Sequence, residues 1–166
     1  MADTYTLISS VTVGAGGAAD ITFSSIPSTY TDLAIFVSSR GASGGVQGLR
    51  INFNGVATNL SERQLEGDGA SATSASSTSG YTGYSDASTY TANTFANNFI
   101  YIPNYAGSNY KSWSADAVTE NNATTSYAGL TAGLWSNTAA ISSIKLVHSA
   151  SFAQYSSAYL YGISNS

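Results

Sequence analysis

The chain has one histidine, His148, and no cysteine, which leaves a zinc site or a His-dependent nucleophilic triad short of parts. On the Ile144, Leu146, His148 parity the imidazole shares a face with apolar residues, and it reads as a hydrogen-bonded structural histidine. Oxygen ligands are better supplied. Glu62, Glu66 and Asp68, with Gly67 and Gly69 beside them, could cradle a calcium ion or simply form a solvated turn. Their spacing is not that of an EF-hand. Glycoside hydrolysis would need two acids facing each other across a cleft, a demand that would fall on Glu62 and Glu120. Tyr81, Tyr84 and Tyr90, beside a serine-rich stretch, are candidates for binding, since tyrosines make contacts at low entropic cost. The plainer alternative is that they occupy an outer strand. No catalytic residue, metal ligand or cofactor is assigned.

Any such groups must be carried by strands. The 166 residues correspond to one domain, residues 1–166, long enough to bury a core. Hydrophobic residues make up 43%, whereas charged residues make up only 8%, against about 25% in ordinary domains. The exposed surface must therefore be built from hydroxyls, amides and tyrosine rings. That suits a domain packed against copies of itself, against a larger assembly, or against carbohydrate. The net charge of −4 and the scattered Arg40, Arg50, Arg63, Lys111 and Lys145 argue against a nucleic-acid partner. No stretch has the roughly 20 apolar residues of a membrane span, and MADTYTLISS lacks the pattern of a secretion signal. Release by cell lysis would reconcile an extracellular destination with that absence. The sequons Asn59-Leu60-Ser61 and Asn122-Ala123-Thr124 read as chance for the same reason.

Alternation recurs along the chain and helical periodicity is nearly absent. Tyr5 and Leu7 share one face of a first strand, Thr4 to Val13, with a bulge expected at Ile8-Ser9. Ile21 and Phe23 mark a second. Leu33, Ile35 and Val37 oppose Ala34 and Phe36 in a third, Asp32 to Arg40. Leu49, Ile51 and Phe53 alternate with polar neighbours before Asn54-Gly55, a hairpin signal with Val56 to Leu65 returning. A capping-box helix at Ser61 to Gln64 is the weaker rival. Glu66 to Gly80, EGDGASATSASSTSG, reads as a long loop. Strands follow at Phe95 to Ile102, Tyr110 to Val118 and Ser126 to Trp135, with Trp113 and Trp135 as core residues. Ile141 to Ile163 closes the chain as two strands, with Ile144, Leu146, Tyr159, Tyr161 and Ile163 as the inward set. Eight to ten strands at this spacing predict an all-β antiparallel sandwich or barrel.

The closing stretch resembles a module of tailed-bacteriophage virion proteins, especially from phages of marine and cyanobacterial hosts. The likeness rests on Trp135, Ala140 to Leu146, Phe152 and Ala158 to Ile163, and on Ile51 to Gly55 followed by Leu65 to Gly69. It implies a jelly-roll domain on the exterior of a phage particle, without enzymatic activity. Such modules occur at the ends of tail fibres and as free-standing head or tail proteins. With no shaft segment preceding the domain, a capsid decoration or cement protein is expected. Its partners would be copies of itself, the major capsid protein or another virion protein. The alternative is a tail-fibre receptor-binding module holding host surface glycan on its loops.

Overall fold

The computed structural model describes residues 4–122 and 126–164. Part of the second sequon, Ala123 and Thr124, lies outside the described residues. Twelve strands run in chain order: β1 Tyr5–Thr12, β2 Ala18–Phe23, β3 Asp32–Ser39, β4 Gln47–Phe53, β5 Leu60–Gly67, β6 Ala72–Ser77, β7 Tyr81–Ser85, β8 Ala96–Ile102, β9 Lys111–Val118, β10 Ala128–Trp135, β11 Ile144–Phe152 and β12 Ser157–Ile163. They form an eight-stranded sheet, β1-β12-β3-β8-β9-β10-β5-β6, and a four-stranded sheet, β2-β11-β4-β7. All neighbours within the sheets are antiparallel.

The pairing is nested. β1 lies on β12, β2 on β11, β3 on β8 and β4 on β7, as if one long hairpin had been rolled into two layers. That is the jelly-roll arrangement that the resemblance implies, and a form of the sandwich expected from the strand spacing. Four further strands raise the total above the expected eight to ten. β5–β6 is inserted between β4 and β7, and β9–β10 between β8 and β11. Both hairpins extend the large sheet beyond β8.

The core follows from alternation. Leu33, Ile35, Val37, Ile100, Ile102 and Leu160 of the large sheet are buried opposite Ile21, Phe23, Leu49, Ile51, Ile144 and Leu146 of the small one. Beneath the extension, Phe53 meets the Trp113 and Trp135 rings at 5.6 and 5.4 Å, so both tryptophans are core residues as expected. The bulge in β1 falls between Leu7 and Ser9.

Three expectations are overturned. In β12 the buried set is Ala158, Leu160, Gly162 and Ile163, while Tyr159 is exposed and Tyr161 half-exposed on the outer face. Both parities of this strand are apolar; that of Ala158, Leu160 and Gly162 goes inward, and the Tyr30 ring packs over Gly162 where a larger side chain would clash. Asn54 and Gly55 do take positive φ. However, β5 does not return along β4; it crosses to the other sheet and pairs with β10 and β6. Residues Glu66 to Gly80 are not all loop, since β6 pairs with β5 from Gly67↔Ala72 to Glu62↔Ser77. A strand at a sheet edge needs only a ladder to hydrogen-bond to, so it can form without an apolar alternation.

Candidate interaction surface

Glu66 is brought together with Tyr81 and Tyr84, whereas Glu62 and Asp68 are each engaged with other partners. Glu62 turns inward, and its Oε1 accepts from the Ser79 and Tyr81 amides at 2.9 and 3.2 Å and from the Ser77 and Ser79 hydroxyls. Glu66 accepts the Tyr81 phenol at 2.7 Å and the Tyr84 phenol at 3.0 Å. Asp68 caps its own turn through the Ala70 and Ser71 amides at 2.9 and 2.7 Å, and these bonds hold its carboxyl below the usual range. The three carboxylates suggested for calcium thus serve three different structural tasks. Glu120 accepts the Asn122 amide at 2.8 Å and, among the described residues, shares no hydrogen-bond partner with Glu62.

His148 is buried, its Nδ1 accepting the Ala150 amide at 3.1 Å and its ring 5.3 Å from Phe152. Burial, aided by Arg50, lowers its pKa to about 4. Gly41-Ala42-Ser43-Gly44-Gly45 has the letters of a nucleophile elbow, and His148 packs against Gly41. Yet this segment joins strand to strand, not strand to helix. An imidazole accepting at Nδ1 carries its proton on Nε2 and cannot take one from serine there. Because unfolded histidine titrates near 6.5, the unfolded chain binds the proton first as pH falls. Stability is then lost between about pH 6.5 and 4, by up to about 3 kcal/mol. Denaturant titrations across that range should show this acid limb in the wild type and a flattened one in His148→Gln.

Tyr81, Tyr84 and Tyr90 do not line an exposed loop. Tyr81 and Tyr84 belong to β7; Tyr81 is buried, Tyr84 and Tyr90 half-buried. Burial raises the pKa of all three phenols, reinforced at Tyr81 and Tyr84 by Glu66. Tyr84 also stacks on Tyr127 with centroids 4.6 Å apart. Together with Glu66, Asp68, Ser71 and Thr73 they border a polar cleft of about 240 Å³. Burial likewise raises the pKa of Asp86, against the pull of Thr94 and Arg40. Arg40 itself donates to the carbonyls of Ser88, Tyr90, Thr91 and Thr94 and so fastens the loop after β7.

The most distinctive surface is the outer face of the eight-stranded sheet. One cross-strand row traverses it completely: Ser10, Tyr159, Phe36, Phe99, Asp116, Leu130, Leu65, Ser74. Phe36 contacts Phe99 at 4.9 Å and Tyr161 at 5.7 Å, and Tyr161 reaches Tyr5 at 6.3 Å. Leu130 is 60% exposed, Leu65 55% and Phe36 41%. Two apolar depressions of about 570 and 460 Å³ share Leu65, Asp116 and Leu130 as walls. Among the described residues, the outward parity of these strands carries three charged side chains, Asp32, Arg63 and Asp116, while Glu62, Glu66 and Lys111 lie on the inward parity. Asp32 is occupied by the Tyr101 phenol and the Asn104 amide. Sequence reasoning missed this face because Phe36, Leu65, Leu130 and Tyr159 were read one strand at a time. The signal that could have found it is an apolar residue on the polar parity of several strands at once. Comparison of the chain with protein-family models, with curated proteins and with solved structures returns no match.

Proposed function

We propose that the chain is a non-enzymatic structural protein of a tailed-bacteriophage particle, held on the particle exterior by the outer face of its large sheet. The observation that carries this reading is the row across the outer face, in which Tyr159, Phe36, Phe99, Leu130 and Leu65 stand between two end serines with Asp116 as the one charge. Seven large side chains there and beside it (Tyr5, Leu7, Phe36, Leu65, Val118, Leu130 and Tyr159) are each 40–60% exposed. With three aromatic side chains of about 150–250 Å² each and four smaller aliphatic ones, they present roughly 600 Å². A free monomer rarely leaves more than about 300–600 Å² in one patch, and one side of a standard interface is about 800 Å². The phage assignment rests on the resemblance of the closing strands, and the jelly-roll topology agrees with it.

The work done is associative. A copy seated across a junction of the shell must be peeled off before the junction can open, and many copies multiply the effect. Because the face has few charges, its binding should persist in high salt. The test is sedimentation of purified protein with emptied shells of the phage that encodes it. The expected result is co-sedimentation, a higher shell melting temperature, and at least about 100-fold weaker binding for Leu65→Asp/Leu130→Asp, since buried interface anchors each carry 1–2 kcal/mol or more. Failure of the wild type to bind, or unchanged binding by the double variant, overturns the reading.

One observation favours a second reading, a receptor-binding module for host glycan: the Tyr84–Tyr127 stack beside the Glu66 and Asp68 carboxylates. A glycan-array signal abolished by Tyr84→Ala, with no shell binding, would replace the first reading by this one.

A further inference from the structure

We infer that β6 is a self-association edge, through which two copies of the chain join their large sheets into one. Open strand edges are normally blunted by charge, proline, a bulge or a covering segment. The other three edges of this sandwich are blunted. β1 carries the bulge between Leu7 and Ser9. β2 carries Asp20, paired with Lys145 at 3.1 Å. On β7 the Tyr81 amide is capped by Glu62.

β6 has none of these devices. Its six residues, Ala72-Thr73-Ser74-Ala75-Ser76-Ser77, include no charge, proline or glycine, and they pair with β5 in unbroken register. Among the described residues no strand lies on its other side, and Ala72 to Ser76 are all exposed.

The direction of its free groups follows from the turn. Asp68 N–H donates to Ser71 C=O, and in an antiparallel ladder bonded and non-bonded pairs alternate. Thr73, Ala75 and Ser77 therefore bond β5, while Ala72, Ser74 and Ser76 direct their N–H and C=O away from it. A two-fold axis through Ser74, perpendicular to the sheet, satisfies all three. Ser74 then exchanges bonds with its symmetry mate, and Ala72 with Ser76 of the other copy.

A second copy is the occupant for two reasons. Small uncharged side chains oppose their own kind without clash. In a chain of net charge −4, this edge is also a place where like copies meet without repulsion. The same axis turns both apolar faces to one side, because Ser74 continues the row of Leu65 and Leu130. The inference stands apart from the proposed function, since it concerns an edge and not the face.

The test is the molar mass of the full chain by light scattering and sedimentation equilibrium. A dimer is expected, weakened at least tenfold by Ser74→Pro, which deletes an N–H that β5 does not use. Ser74→Lys keeps that N–H but sets two ammonium groups opposite each other at the axis, and it should weaken the dimer similarly. Unchanged circular dichroism and a cooperative thermal transition identify the folded state of each variant. A monomeric wild type, or a dimer that survives both substitutions, overturns the inference. So does a dimer lost only in Leu65→Asp/Leu130→Asp, which would place the copies face to face. Shell binding by the Ser74→Pro monomer reports on the apolar face separately.

Discussion

Glu62→Ala is expected to lower stability by about 3–5 kcal/mol, because it strips the partner from two main-chain donors as well as emptying a buried site. The carboxylate is 1% exposed and stands at the corner where the chain leaves β6 in one sheet and enters β7 in the other. Its Oε1 gathers the Ser79 and Tyr81 amides with two serine hydroxyls, so a single atom closes that corner. Alanine leaves the Tyr81 amide enclosed with nothing to accept it. For a domain of this size such a loss corresponds to a melting temperature lower by about 10 °C. Glu62→Gln keeps the accepting oxygen and should lose less than half as much. Thermal unfolding of the two variants separates the roles of shape and acceptor; equal melting temperatures for Glu62→Ala and wild type would refute the assignment.

The second large effect is at Gly133. It lies opposite Trp113 across the β9–β10 ladder, and the indole covers it so closely that a Cβ would fall 2.0 Å from the ring. The obstacle is space and not backbone conformation, since Gly133 has no positive φ. Any side chain here must push Trp113 off Phe53, undoing one of the two ring contacts by which the inserted strands adhere to the small sheet. Overpacking alone costs about 1–3 kcal/mol, and loss of a buried tryptophan contact about 3–5. Gly133→Val is therefore expected to lose about 4 kcal/mol or more and to shift the tryptophan emission to the red. A native-like emission maximum and melting temperature would show that the ring has room to move.

Much of the architecture was legible because burial on one side of a strand writes itself as alternation. β3, β4 and β9 could be placed within a residue or two. The bulge at Leu7-Ser9 was visible as a break in parity. His148 could be assigned to the interior because it shares parity with Ile144 and Leu146. β6 was not legible. Serine, alanine and threonine in EGDGASATSASSTSG have no side to bury, and such a segment becomes a strand only when β5 presents a ladder. For Tyr81 and Tyr84 the sequence leaves a binding cluster and an outer strand both open; β7 is an edge strand of the small sheet, and proximity to a polar stretch says nothing about which sheet it joins.

Composition and parity determined that this chain would be an antiparallel all-β domain with a charge-poor surface, since those properties are local and additive along the chain. Which apolar residues remain outside was decided only by tertiary structure. Phe36, Leu65, Leu130 and Tyr159 come from four distant segments, and nothing in any one of them says that they will align in a single row. That row exists because the nested pairing and the two inserted hairpins fix seven registers at once, and register is a relation between strands that no strand contains by itself.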